Sequence, residues 1–314
     1  MLLASALLAA LAILLAWPVP ILLGRARWPL RAPASALLLW QSIALTGGLS
    51  MIGALLTFGL QPYGSDFVRA ARGFVMAVAN DEVLPGRDAV FLLAVGAAIL
   101  LGVHLVLNLV LTIVSTERQR RRHRQLVILL GSPDPLRPHT QLLDNAAPIA
   151  YCLPGARSIT VFSAGLIDLL SPPELSAVIA HERAHVTQRH DILLVAFRAW
   201  HLSLPWFPIA YRAEREVGVL VEMLADDRAR RAVPDKTLAS ALALVAGARP
   251  DADDVLVERS VLPVATPQQT RNRVSRLLNP GAPLNWPSRV AILCLAIGLL
   301  AWPTTLLFTP FVSP

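Results

Sequence analysis

Charge-free apolar runs alternate with short charged segments along the chain, and four of them are long enough to cross a bilayer core, which takes about 20 apolar residues as helix. The first runs from Met1 to Gly24 and is closed by Arg25. The second lies between Arg31 and Asp66, with its core near Ala36 to Leu60. The third spans Ala89 to Ser115, and the fourth runs from Val290 to about Phe308. The first run has no basic segment before it and is too long for a signal peptide. Gly47, Gly48, Gly53 and Gly59 in the second are small enough to let a neighbouring helix approach closely.

Between the third and fourth runs the pattern changes. Leu126–Leu130, Pro148–Leu153 and Ser158–Phe162 read as strands, separated by Gly131-Ser132-Pro133 and Pro154-Gly155. Ser171-Pro172-Pro173-Glu174 then opens a helix, with Ser171 and Glu174 as a capping box and Pro172 at the first helical position. That helix should run to about Arg189. Ile192 to Leu204 is too short for a span and reads as a buried or membrane-surface helix. Further helices are expected over Ile209–Arg231, Lys236–Ala246 and Arg271–Leu278, the last within a mostly irregular linker over 250–287.

Charge turns this pattern into a topology. The chain carries 28 Lys+Arg against 21 Asp+Glu, a formal net charge of +7, but only 16% of its residues are charged. Soluble domains have about 25%. The arginines cluster after the first run (Arg25, Arg27, Arg31) and after the third (Arg118, Arg120, Arg121, Arg122, Arg124). The loop from Gln61 to Asp88 instead mixes arginines with acidic residues. The excess of basic residues on cytoplasmic loops then places residues 116–288 in the cytoplasm and both termini outside. The basic excess is therefore a membrane signal, and no direct nucleic-acid partner is expected. Two cysteines, Cys152 and Cys294, exclude a disulfide scaffold. The expected fold is a multi-pass α-helical membrane protein with four spans (about 1–24, 35–60, 89–115 and 289–314) and a cytoplasmic α+β domain over 116–288.

On the first cytoplasmic helix stands His181-Glu182-Arg183-Ala184-His185. Histidines at i and i+4 share one helix face and can grip one zinc ion, while Glu182 can reach a zinc-bound water and take its proton. Seven histidines in 314 residues make such a pattern a chance event at roughly 0.004 per chain. A catalytic zinc needs a third protein ligand. Asp191 stands six residues after His185 but lacks the intervening glycine of that zinc class, and reads as a cap for the next helix. Glu222 is the better candidate. It and Asp226 are i and i+4 on another helix, so one can bind metal while the other orients a ligating histidine. Ser158–Phe162 is a candidate edge for an extended peptide, and Tyr211, His201 and Arg228 are candidate oxyanion donors. His104 reads as a helix–helix hydrogen-bonding residue, and Cys152 as a small packed hydrophobe.

Leu175 to His190, with Trp206-Phe207-Pro208 and Glu222…Asp226, resembles the BlaR/MecR-type membrane metallopeptidases. These are four-span bacterial signal transducers with a cytoplasmic gluzincin domain, a zincin-like fold, between spans three and four. The resemblance implies one Zn2+ bound by His181, His185 and Glu222, catalysis by Glu182 and a supporting role for Asp226. It also implies cleavage of a cytoplasmic protein or peptide, with a DNA-binding repressor as the implied partner. Ala225 departs from the cysteine of many relatives. With the sequence ending at Pro314, a short form of the family without the penicillin-binding sensor is expected. Two other readings share the motif: a non-proteolytic transducer with a structural zinc, and a broad quality-control membrane protease.

Overall fold

The structure, a computed structural model, describes residues 1–82, 85–155, 158–205, 208–248 and 266–308. Trp206, Phe207 and residues 250–265 of the expected linker lie outside the described residues. Among the described residues, four helical stretches are long and apolar enough to cross a membrane: Leu2–Arg25, Pro33–Gly59, Ala89–Leu130 and Trp286–Phe308. The first is broken at Trp17 into α1 (Leu2–Ala16) and α2 (Pro18–Arg25), because Pro18 cannot donate to the preceding turn. The second is α3 (Pro33–Gly59). A short helix α4 (Phe67–Ala79), capped by the Asp66 carboxylate accepting from the Arg69 N–H, follows it.

The third stretch belongs to α5 (Pro85–Leu130), 46 residues long, or about 69 Å at 1.5 Å per residue. It passes through Ser115 and the arginine cluster without a break. Leu126–Leu130, read above as a strand, is therefore the last turn of this helix. The apolar run is too short to show its periodicity, and the helix before it propagates through at little cost. Gly59 earns its place here: a Cβ on it would stand 2.6 Å from Val95 and 2.7 Å from the Phe91 carbonyl, so α3 and α5 touch backbone to backbone. Around Gly48, by contrast, there is open space.

Beyond α5 come β1 (Ser132–Pro133), β2 (Thr140–Leu143), β3 (Ala150–Leu153) and β4 (Ile159–Ser163), in spatial order β1-β2-β4-β3. β4 is parallel to β2 and antiparallel to β3. It is thus an inner strand with both hydrogen-bonding edges taken, which corrects its expected role as a peptide-binding edge; the open edge belongs to β3. A short α6 (Ala164–Leu169) leads into α7 (Pro172–Thr187), α8 (His190–Ser203), α9 (Pro208–Ala229), α10 (Asp235–Gly247), α11 (Pro267–Leu278) and finally α12 (Trp286–Phe308).

Two cores hold the site between them. In one, Phe162, Leu166, Leu175 and Val178 pack with Leu238 and Leu277, joining β4, α6, α7, α10 and α11. In the other, Leu194 and Phe197 of α8 and Val217, Leu220 and Val221 of α9 pack with Ala36, Trp40 and Ile43 of α3. Helix α9, which carries Glu222, and α8 thus share one apolar core with a helix long enough to span a membrane, while α7 packs in the other core. Two polar ties pin α8 along α5. Arg120 donates to Asp191 at 2.9 Å, and His104 Nε2 lies 2.9 Å from the Ser203 carbonyl oxygen. Asp191 is therefore an ion-pair partner in the first turn of α8 and not its cap; Arg189, two residues earlier, takes that position.

Candidate metal centre

The α7 helix starts as its sequence requires. The Ser171 N–H donates to the Glu174 carboxylate at 3.0 Å, and the Ser240 hydroxyl of α10 donates to the same group at 2.6 Å. Two turns further on, His181 and His185 project from one face. Their Nε2 atoms are 3.2 Å apart. Across from them α9 presents Glu222, with Oε2 3.5 Å from His181 Nε2 and Oε1 3.5 Å from His185 Nε2. Ala225, fully buried behind these side chains, leaves room for α9 to lie close to α7.

This triangle of two ring nitrogens and one carboxylate group fits a tetrahedral metal. Two nitrogen ligands about 2.05 Å from a tetrahedral ion lie about 3.3 Å apart. Two imidazoles and a carboxylate are also the donor set zinc takes in catalytic sites, with a position left for water. His181, His185 and Glu222 are the one group among the described residues whose ligand atoms converge in this way. Asp226, one turn along α9, lies with Oδ1 3.0 Å from His181 Nδ1. The ring is not aligned for a well-directed hydrogen bond, so that buried nitrogen is held by charge rather than by a straight N–H···O contact.

Arg273, which sequence reasoning did not single out, completes the centre. It comes from α11, is 5% exposed, and bonds both oxygens of Asp226, through Nε at 2.8 Å and Nη2 at 2.7 Å. Its Nη1 lies 2.7 Å from Glu222 Oε2. Such a fork matches a carboxylate in a way lysine cannot. The signal available beforehand was indirect: the Thr266-x-x-Gln269 capping box that starts α11, on a helix too basic to look buried.

Electrostatics follow from this packing. Burial alone would raise the Glu222 and Asp226 carboxyls, yet Arg273 and His181 outweigh it and hold both below the usual range. Burial likewise opposes charge on His181, but Asp226 and Glu222 push it up to about 10. At His185 burial outweighs the opposing charge of Glu222 and pulls it down to about 3. Its neighbour His190, 2% exposed, is pulled down by burial to about 4. Metals bind neutral imidazole, so His185 is ready for an ion and His181 must first give up its proton. Glu182, beside the first ligand, is half-buried, and its charge reaches both Arg273 and the Cys152 thiol.

The other expected participants lie elsewhere. His201 Nδ1 is 2.5 Å from Glu214, and the Tyr211 ring packs edge-on against the His201 ring. Arg228 is on the exposed side of α9. Cys152 stands half-buried on β3, its Sγ 3.4 Å from the Thr160 hydroxyl. Arg273 is the cation in contact with the triangle, through Glu222.

Known proteins resemble this part of the chain. Residues 114–226 match the family described as Peptidase family M48. A relative described as Protease HtpX homolog 2, from Methanosarcina mazei, is 28% identical over 101 residues. That alignment covers 32% of this chain and 34% of the relative, so the chain matches about a third of the relative's length. No solved structure matches. The similarity supports a metallopeptidase of the M48 type over the segment that carries α7, α8 and most of α9. Peptidases of that type typically depend on zinc, and the triangle is a potential metal-binding triad.

Proposed function

We propose that this protein is a membrane-anchored, zinc-dependent endopeptidase. His181, His185 and Glu222 hold one ion, Glu182 is the general base, and Asp226 positions His181. The observation that supports this most directly is the convergence of the two histidine Nε2 atoms, 3.2 Å apart, on one carboxylate, with Glu222 Oε2 3.5 Å from His181 and Oε1 3.5 Å from His185, beside Glu182. Zinc in such a site lowers the pKa of a bound water to about 7 and polarises a carbonyl. Glu182 takes the proton of the attacking water and passes it to the departing amine. Asp226 keeps the His181 ring turned toward the ion, and Arg273 compensates the charge of Asp226 and Glu222. β3, with its open edge beside α7, pairs with an extended peptide and presents it to the centre.

The four apolar helices are read as spans, with both termini outside and residues 116–288 on the cytoplasmic side, from the arginine clusters that follow the first and third. The narrower likeness to BlaR/MecR-type transducers supports a regulatory role with a cytoplasmic protein as substrate, a DNA-binding repressor among them. The core shared by α8, α9 and α3 supports a second substrate class, proteins presented at the membrane itself. Mass spectrometry of new protein N-termini in cells with active and Glu182→Gln protein separates these two. Purified protein should hold one zinc per chain; protein without stoichiometric zinc, or proteolysis undiminished in Glu182→Gln, overturns the proposal.

A further inference from the structure

A metal-ligating histidine binds through one ring nitrogen and donates its other N–H to a fixed acceptor, which sets both tautomer and ring angle. At His181 the facing group is the Asp226 carboxylate, with Oδ1 3.0 Å from Nδ1. For His185 the facing residue is another imidazole: His190 Nδ1 lies 3.1 Å from His185 Nδ1, with the rings edge to face and centroids 5.0 Å apart. Two imidazole nitrogens at that distance share one proton, so one donates and the other accepts. His185 decides the direction. Its Nε2 faces His181 and Glu222 in the triangle and must offer a lone pair to an ion, which leaves its proton on Nδ1. His190 then accepts at Nδ1 and carries its own proton on Nε2.

We infer that His190 is a positioning residue for the metal centre, holding His185 in the tautomer and orientation that present Nε2 to the ion. The inference rests on the reading of His181, His185 and Glu222 as metal ligands. The backbone is arranged to deliver this contact. After α7 ends at Thr187, Arg189 adopts a left-handed conformation (φ 51°) and turns the chain back, so that His190, opening α8, faces the α7 residue five positions earlier. The ties of Asp191 to Arg120 and of Ser203 to His104 anchor both ends of α8 along α5, which holds His190 in place.

The test uses the full-length protein in detergent, with zinc affinity read by competition against a chromophoric chelator. His190→Asn keeps an acceptor, Oδ1, near the place of the imidazole Nδ1; His190→Leu keeps bulk without one. His190→Leu should weaken zinc binding about 10- to 100-fold and His190→Asn by less than about threefold, as expected for loss and retention of a ligand's hydrogen-bond partner. The visible spectrum of the Co2+-substituted protein should change in His190→Leu and remain parental in His190→Asn. His190→Gln moves the acceptor away from the Nδ1 place and should behave like His190→Leu, which keeps the test decisive if the leucine variant does not fold. Parental zinc affinity in His190→Leu or His190→Gln, or binding by His190→Asn as weak as theirs, overturns the role of His190 alone. A parent protein that binds no zinc overturns the metal-site reading as well.

Discussion

Helices α7 and α11 meet at the same two carboxylates but contribute in opposite ways. α7 supplies neutral or neutralisable ligands at i and i+4, a spacing that any helix reproduces wherever it packs. α11 supplies one arginine from a basic helix that follows β4 by about a hundred residues, and its role exists only because the chain folds back. The first contribution is local and chemical. The second is long-range and electrostatic: two carboxylates, 1% and 20% exposed at the side chain, share a guanidinium that is 6% exposed. A cluster of buried like charges can be held together only by a buried counter-charge of this kind.

Several outcomes sharpen that division of labour. The largest concerns α7: Glu182→Gln should lower peptidase turnover about 10²- to 10⁴-fold, the usual worth of a general base, with zinc content unchanged by metal analysis. On the α11 side, Arg273→Met leaves two buried carboxylates uncompensated and should destabilise the metal-free protein by about 3–5 kcal/mol, the cost of breaking a buried ion pair. Thermal unfolding with and without zinc checks this; an equal loss in both states would mean that a bound ion does not take over the compensating charge. Asp226→Asn should cost about 10- to 100-fold in zinc affinity through a loosened His181 ring.

Metal-free protein should also show a stability maximum near the ordinary histidine value. The His181 pKa is raised to about 10, so its contribution is complete below 6.5 and fades as pH rises through 10. His185 and His190 are lowered to about 3 and 4, so below 6.5 the unfolded chain takes up protons that the folded chain refuses, and stability falls. The lowered carboxyls of Glu222 and Asp226 add a further loss in stronger acid. Unfolding midpoints of chelator-stripped protein across this range test the prediction, and a flat profile would contradict it. The smallest effect is expected at Arg120→Ala, whose partly exposed pair with Asp191 is worth at most about 1 kcal/mol, read as a small fall in the same midpoint.

Legibility followed the range of the interactions. The capping box of Ser171 and Glu174, the paired histidines and the Glu222/Asp226 pair are all set within one or two turns of helix, and each was readable in place. Leu126–Leu130 misled because five apolar residues carry no period of their own, and the helix already running through them decides their state. The inner position of β4 was hidden for a related reason: which strand lies at an edge depends on pairing with β2, which the residues of β4 do not specify. Asp191 looked like a cap because it stands near a helix start, while its partner, Arg120, is seventy-one residues away.

By itself, then, the sequence determined the apolar helices, the helix that carries the two histidines and the spacing of the carboxylates, because hydrophobic runs, caps and i, i+4 neighbours act over a few residues. Tertiary structure alone decided that Arg273 neutralises the two carboxylates, that His190 turns back onto His185, and that α8 and α9 share a core with the apolar helix α3. Those are contacts between residues distant in the chain or joined by an unusual backbone turn. Their energies come from burial, which raises the cost of every unpaired charge and so selects the partner that removes it.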